Sequence, residues 1–133
     1  MPLAPLQKLL ANARKGGYAL GYFESWNLES FQAVVQAAEE ERAPVIAGFN
    51  GGFLCHQGRR APEPLAFYAG LRLALERSGV SVGFLFNESG DLQQIKQAVD
   101  LGFNAIMPES EDMDPDQYLR LVRDVVEIAH PKV

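Results

Sequence analysis

The 133-residue chain has a single cysteine, and no run of apolar residues approaches the ~20 needed to span a bilayer. One cysteine cannot form an internal disulfide, which is typical of a reducing compartment. The first six residues lack the basic start and apolar stretch of a signal peptide. These absences predict a cytoplasmic protein with no membrane contact.

Basic residues are also few: Lys and Arg number 12 against 17 Asp and Glu, and the net charge is −5. The largest basic cluster is Arg59-Arg60, so a nucleic-acid partner is not expected. The sequence has no P-loop, no HExxH and no Ser/His/Asp set. Cys55-His56 is not expected to bind zinc, because no second cysteine completes a ligand set and adjacent side chains rarely point at one ion.

What the sequence does have is a fourfold alternation of strand-like and helix-like segments. Apolar runs at 18–23, 44–49, 80–86 and 105–107 are each followed by residues with helical spacing. Asn27, Asp91 and Asp114-Pro115 are suited to begin helices, and Gly79 and Gly102 to end them in the left-handed conformation. A further helix is expected over 3–14.

This alternation predicts an α/β fold with parallel strands and right-handed crossovers. The favoured architecture is a (βα)4 half of a TIM barrel, formed as one domain by residues 1–133 and preceded by an N-terminal helix; a complete barrel needs roughly 200–250 residues. An open doubly wound sheet is the alternative, but no G-x-G-x-x-G follows the first strand. In a half-barrel, Phe and Leu side chains are expected to leave a large apolar patch on the inner face.

Candidate functional residues follow the strands, since ligands bind at the carboxyl ends of parallel strands. These positions are Glu24, Asn50-Gly51-Gly52, Asn87-Glu88-Ser89 and Glu109-Ser110-Glu111-Asp112. The carboxylates are suited to a hard divalent cation such as Mg²⁺, or to general-base catalysis. Alternatively, they only cap the following helices, which is favoured for Glu111 and Asp112.

Several segments resemble class II fructose-bisphosphate and tagatose-bisphosphate aldolases. The run from Gly17 to Phe23, the segment Asn27-Leu28-Glu29-Ser30, and Pro44-Val45-Ile46 are similar to the opening of that family, and the run from Gly102 to Met107 is similar to its fourth strand. The resemblance covers essentially the whole chain but only the N-terminal half of the family's barrel. It implies a zinc-dependent retro-aldol cleavage of a sugar phosphate, in which a carboxylate moves the proton.

The resemblance also assigns roles. The family's third strand ends in a His-x-Asp-His-Gly type motif, which places Glu88 on the catalytic Asp and Ser89 on a zinc-binding His. Glu24 stands where the family usually has Asn, and Glu109 where the fourth strand usually ends in Asp. The implied roles are catalysis for Glu88 and substrate binding for Glu24, Asn50, Gly51, Asn87 and Glu109, with no protein ligand for a metal assigned.

Two functions follow from this pattern. The chain is either an aldolase-like carbon–carbon lyase that lacks the standard zinc-dependent cleavage when isolated, or a non-catalytic half-barrel that self-assembles or binds a sugar phosphate. A fragment or built half-barrel without a function of its own is a third alternative. The expected partner is a second copy or a separate C-terminal half-barrel, because a four-stranded sheet has two unpaired edges.

Overall fold

The computed structural model describes residues 3–54, 64–109 and 112–131. Along the chain the elements are α1 (Leu6–Gly16), β1 (Tyr22–Ser25), α2 (Leu28–Glu40), β2 (Val45–Asn50), α3 (Gly51–Leu54), α4 (Leu65–Gly70), α5 (Arg72–Leu75), β3 (Val82–Ser89), α6 (Leu92–Asp100), β4 (Ala105–Pro108) and α7 (Pro115–Ala129). The strands form one parallel sheet in the order β1-β2-β3-β4. The predicted half of a TIM barrel with an N-terminal helix is therefore confirmed.

The helix boundaries follow capping chemistry. Asn27 and Asp114 each form a reciprocal capping box at the start of a helix, and Asp91 accepts from two backbone N–H groups of α6, as predicted. Gly102 adopts a left-handed φ of +99° after α6, also as predicted. Gly79 does not, and that prediction is wrong: its N–H donates to the Glu39 carboxylate over 3.2 Å.

One face of the sheet packs against the helices and holds the main core. Phe49, Phe84 and Phe86 are fully buried there. Phe84 stacks on Phe103 with ring centroids 4.1 Å apart, and Phe49 stacks on Phe31 at 5.3 Å. These aromatic side chains fix the side to which the strands turn their polar residues.

The opposite face, here called the inner face, carries a smaller cluster of Ile46, Leu85 and Ala105. Leu6 of α1 packs against this cluster, and Leu9 lies beside Gly83, where a Cβ would come within 3.1 Å of it. The Ala4 N–H also donates to the Val82 carbonyl over 2.9 Å. Helix α1 therefore covers the inner face near the amino ends of the strands.

The expectation of a large apolar patch of Phe and Leu side chains on the inner face is wrong. The strand phenylalanines Phe49, Phe84 and Phe86 lie on the helix side, and Leu85 is only 8% exposed. The exposed apolar side chains of the strands lie instead at the two edges of the sheet, with Phe23 of β1 55% exposed and Met107 of β4 45% exposed. Within the described ranges, no helix is long and apolar enough to cross a membrane.

Candidate functional site

Four of the predicted residues lie together at the carboxyl ends of the first three strands. Glu24 is in register with Gly48 on β2, which is in register with Leu85 on β3. Gly48 has no side chain that could stand between Glu24 and β3, and the Asn87 amide of β3 donates to Glu24 Oε2 over 2.8 Å. A Cβ at Gly48 would also overlap the Leu85 carbonyl oxygen, so only glycine fits here.

Glu24 also accepts a hydrogen bond from Tyr22, which precedes it on the same face of β1. The distance from the Tyr22 hydroxyl to Glu24 Oε2 is 3.0 Å. Burial raises the pKa of Tyr22, and the charge of Glu24, its hydrogen bond and the charge of Glu88 raise it further, while a hydrogen bond from Asn87 opposes them. The phenol therefore stays protonated as a donor to Glu24.

Glu88 and Asn50 form a second carboxylate–amide pair. The Asn50 Nδ2 donates to Glu88 Oε2 over 2.5 Å, while its Oδ1 accepts from the Phe53 N–H over 2.9 Å. The Phe53 bond fixes which end of the amide faces Glu88. Asn50 therefore holds the Glu88 carboxylate in one orientation.

The backbone at Glu88 is irregular. Its φ is +50°, and the pairing of β3 with β4 shifts register between Asn87 and Ser89, so Glu88 is the extra residue of a bulge. A left-handed conformation is unfavourable for a residue with a Cβ, and such strain concentrates at functional sites. The bulge leaves the Glu88 side chain exposed while both of its neighbours are buried.

Asn87 holds an unsatisfied polar atom. The residue is 3% exposed, and its Oδ1 is buried without a hydrogen-bond partner. A buried acceptor of this kind costs about 1–3 kcal/mol. Its amide nitrogen donates to Glu24, so the unsatisfied oxygen belongs to the same side chain that makes this contact.

Ser89 points away from the site. It is 3% exposed, its hydroxyl donates to Gln94 Oε1 over 2.5 Å, and it accepts from the Asp91 N–H over 3.3 Å. Gln94 in turn donates to the Gly51 carbonyl over 3.3 Å. Ser89 thus joins the end of β3 to the start of α6.

Gly51 belongs to the same packing contact. A Cβ there would lie 2.5 Å from the Phe86 ring and 2.9 Å from the Ser89 Cβ. This close approach accounts for a glycine at the position, whereas ligand binding by Gly51 stays a prediction.

The described residues do not fit the zinc site that the resemblance implies. No group of three or more His, Cys, Asp or Glu side chains within ranges 3–54, 64–109 and 112–131 could hold a metal ion. The Ser89 hydroxyl is committed to Gln94. His130 lines a hollow with Asn104, which precedes β4, and so lies away from the site; Cys55 and His56 are outside the described residues.

The remaining predicted positions stand apart from this network. The Glu109 N–H donates to the Ser89 carbonyl over 3.2 Å, which places Glu109 at the same sheet end, but no described hydrogen bond joins its side chain to the network. Ser110 and Glu111 lie outside the described residues. Trp26 and Phe53 meet edge to face beside the site, with ring centroids 4.8 Å apart.

Sequence reasoning missed two residues. Tyr22 shares a strand face with Glu24 because side chains alternate along a strand, so the spacing of two was the available signal. Gln94 lies in the first turn of α6, where a side chain can reach the preceding strand end. Its contact with Gly51 spans 43 positions and has no local signal.

Parallel strands, helices on the outer face and polar residues at the carboxyl ends define half of a (β/α)8 barrel. Residues 4–133 match the class-II fructose-bisphosphate aldolase family, and the chain belongs to that family. It is 30% identical to a fructose-bisphosphate aldolase of Staphylococcus aureus strain Mu50, over 99% of this chain and 46% of that protein. It is 31% identical to the fructose-bisphosphate aldolase of Geobacillus stearothermophilus, over 99% of this chain and 45% of that one. The chain thus spans about half the length of these relatives.

Solved structures agree with this fold. The YdjI aldolase of Escherichia coli K12 superposes with a TM-score of 0.81 at 25% identity, covering 97% of this chain and 48% of that one. A putative fructose-1,6-bisphosphate aldolase of Coccidioides immitis superposes with a TM-score of 0.80 over 96% of this chain and 43% of that one. At 22% identity the second match supports the fold alone.

Proposed function

We propose that residues 1–133 act as one aldolase-type half-barrel domain whose strand ends bind a sugar phosphate. Glu24, Asn50, Asn87 and Glu109 contact the ligand, and Glu88 is the proton-transfer group. The isolated chain lacks the standard zinc-dependent aldol cleavage. Fructose bisphosphate, named for the relatives, is the first ligand to consider.

The contrast between Glu88 and Ser89 carries this proposal. The Glu88 carboxylate is exposed at the strand ends and oriented by Asn50, whereas the next residue turns its hydroxyl into the protein toward Gln94. A base is thus present where the resemblance implies one, and an imidazole is absent where it implies a metal ligand.

The described residues can carry out only one part of a retro-aldol cleavage, the proton transfer. In a retro-aldol cleavage a base takes the hydroxyl proton, the carbon–carbon bond breaks, and its electron pair stays on the carbon beside the carbonyl. Glu88 can take that proton. Stabilising the electron pair needs an electrophile that the described side chains do not provide, so any lyase activity requires groups from a partner or an added cofactor.

A non-catalytic half-barrel that binds a sugar phosphate is the second candidate, and the commitment of Ser89 to Gln94 favours it. The two candidates differ in turnover and not in binding. Both include a hard divalent cation as a candidate ligand of Glu24 and Glu88, and both include a partner half, since the chain spans only 46% of its Staphylococcus aureus relative.

Calorimetric titration with fructose 1,6-bisphosphate, and separately with Mg²⁺ and Mn²⁺, tests the binding site. We expect the double variant E24Q/E88Q to change at least one affinity by about 10-fold, the value of one charge-assisted hydrogen bond. Glu127→Gln, on the exposed face of α7, is the control and should leave every affinity unchanged. Unchanged affinities in the double variant would contradict the proposed site.

A cleavage assay with added Zn²⁺ separates the two candidates. We expect no release of triose phosphate from fructose 1,6-bisphosphate by the isolated chain, because the described donors do not form a zinc site. Cleavage that depends on zinc and is lost in Glu88→Gln would show that the standard activity is retained.

A further inference from the structure

We propose that two copies of this chain associate about a two-fold axis that runs along the barrel axis. In this assembly, β4 of each copy pairs in parallel with β1 of the other, which closes an eight-stranded barrel. The proposal rests on the half-barrel fold and specifies the partner of the proposed function. It does not depend on which ligand the site binds.

The first observation is that both outer strands have a free edge within the described residues. The sheet order β1-β2-β3-β4 leaves β1 and β4 unpaired on one side each. All registered pairs are parallel, so a two-fold axis along the strand direction keeps the new pairs parallel as well. Closing the barrel removes both free edges at once.

The second observation is an apolar groove beside β1 on the helix side. Phe23 is 55% exposed there, and Val34, Ala37 and Val45 line the groove with it. In a barrel of alternating strands and helices, the helix that follows the neighbouring strand fills this position. For β1 paired with β4 of a second copy, that helix is α7 of the second copy.

The third observation is that α7 presents the matching surface. Val126 and Leu119 of α7 are 39% and 48% exposed, although α7 packs its Leu121 and Val125 into its own core. A hollow at this edge is lined by Ile106 of β4 together with Val126. One chain therefore carries both a groove and an apolar helix face, on opposite edges, and two copies can satisfy each other.

Closure would complete the candidate site. The end of β4, with Met107 and Glu109, would lie beside Glu24 of the second copy. Each copy would contribute its own Glu24–Asn87 and Asn50–Glu88 pairs to one shared barrel mouth. The half-site described above is thus one of two equal parts.

The test is the solution mass of the whole chain by light scattering, in a reducing buffer and over a range of concentrations. We expect twice the chain mass of 14.6 kDa. Phe23→Asp and Val126→Lys should each weaken the dimer by about 30-fold or more, since each puts a charge into an apolar contact. Leu73→Lys, at an apolar residue of α5 that is 60% exposed and lies on neither edge, is the control and should stay dimeric.

Mixing the two edge variants tests the pairing itself. In a mixed dimer, one interface keeps the original Phe23 and Val126, and the other places the carboxylate introduced by F23D against the ammonium group introduced by V126K. At a concentration where each variant alone is monomeric, we expect an equimolar mixture of F23D and V126K to dimerise, with circular dichroism confirming that both remain folded.

Three results would overturn the proposal. The first is a wild-type monomer at every concentration, which would leave a separate half-barrel as the occupant of the edges. The second is an open series of larger oligomers. The third is a pair of edge variants that dimerise as well as the control. A failure of ligand binding would leave these masses unchanged, so the two proposals can fail separately.

Discussion

Glu24 receives two hydrogen bonds on the same carboxylate oxygen, one from the Tyr22 hydroxyl and one from the Asn87 amide. The arrangement requires Tyr22 to keep its proton. Above pH ~10, tyrosine in the unfolded chain loses its proton while Tyr22 in the folded chain retains it. The folded state then binds more protons than the unfolded state, and the free energy of unfolding falls as pH rises.

Tyr22→Phe should reduce this pH dependence. Urea unfolding of the wild type between pH 8 and roughly 11 should show stability falling above pH ~10, and Y22F should lose part of that slope. Tyr18→Phe, at an exposed residue before β1, should keep the wild-type slope. Identical slopes in Y22F and wild type would mean that Tyr22 is not held protonated by folding.

Gly48 allows the Glu24–Asn87 contact, and its replacement should be costly. Gly48→Ala would push a Cβ into the Leu85 carbonyl and should lower the free energy of unfolding by about 1–3 kcal/mol. Gly70→Ala is the matched control, because a Cβ there meets nothing within 4 Å, and it should be neutral or stabilising by up to about 1 kcal/mol. Denaturant unfolding of both variants compares them, and a G48A as stable as G70A would refute the close approach.

The position of the candidate site could be predicted from the sequence, but the backbone bulge and the hydrogen-bond partners within it could not. Glu24, Asn50 and Asn87 follow or end apolar runs, and parallel strands place their carboxyl ends at one edge, so their proximity followed from order alone. The bulge at Glu88 has no local sequence signal, because it depends on the register with β4. The turn of Ser89 toward Gln94 depends on how α6 packs, which is a tertiary property.

At the scale of elements, Asp114 begins the longest helix, α7, with a reciprocal capping box and a proline at the first turn. Asp114→Ala should cost about 1 kcal/mol of stability, because two backbone N–H groups lose their acceptor. Asp124→Ala, at an exposed position inside the same helix, is the control and should change stability by less than about 0.5 kcal/mol. Equal effects in denaturant unfolding would show that charge, and not the cap, is responsible.

Elements were predictable where the signal is local. Capping at Asn27 and Asp91 needs only neighbouring residues, and these helices begin where predicted. The apolar spacing over residues 65–75 predicts one helix, whereas the structure divides this segment at Leu71 into α4 and α5. Hydrogen bonds there span three residues, from Leu71 N–H to Tyr68 and from Ala74 N–H to Leu71, and apolar spacing cannot distinguish that tighter turn.

Gly17 and Gly79 also show that a local sequence pattern does not determine the backbone conformation at a helix end. Gly17, with φ of +68°, ends α1 in the left-handed conformation, whereas Gly79 does not adopt it after α5. Both glycines follow helical patterns in the sequence. The backbone N–H of Gly79 is taken by Glu39, which lies 40 positions away.

For the whole molecule, association should be visible in thermal stability. If folding and dimerisation are coupled, the melting temperature rises with protein concentration, because a partner that binds only the folded chain stabilises it by mass action. We expect a rise across a roughly hundredfold range of concentration for the wild type, and none for F23D. Differential scanning calorimetry measures both, and a constant wild-type value would contradict the coupling.

Helix α1 packs Leu6 and Leu9 against the inner face and so covers the amino ends of the strands. In the closed barrel proposed above, α1 would block the amino ends of the strands, so a ligand would enter, and displaced water would leave, at the carboxyl ends. The residues at the carboxyl ends and the helix that covers the amino ends come from different segments of the chain. Substitutions of Glu24 or Glu88 at the carboxyl ends should therefore leave the contacts of Leu6 and Leu9 with the sheet unchanged.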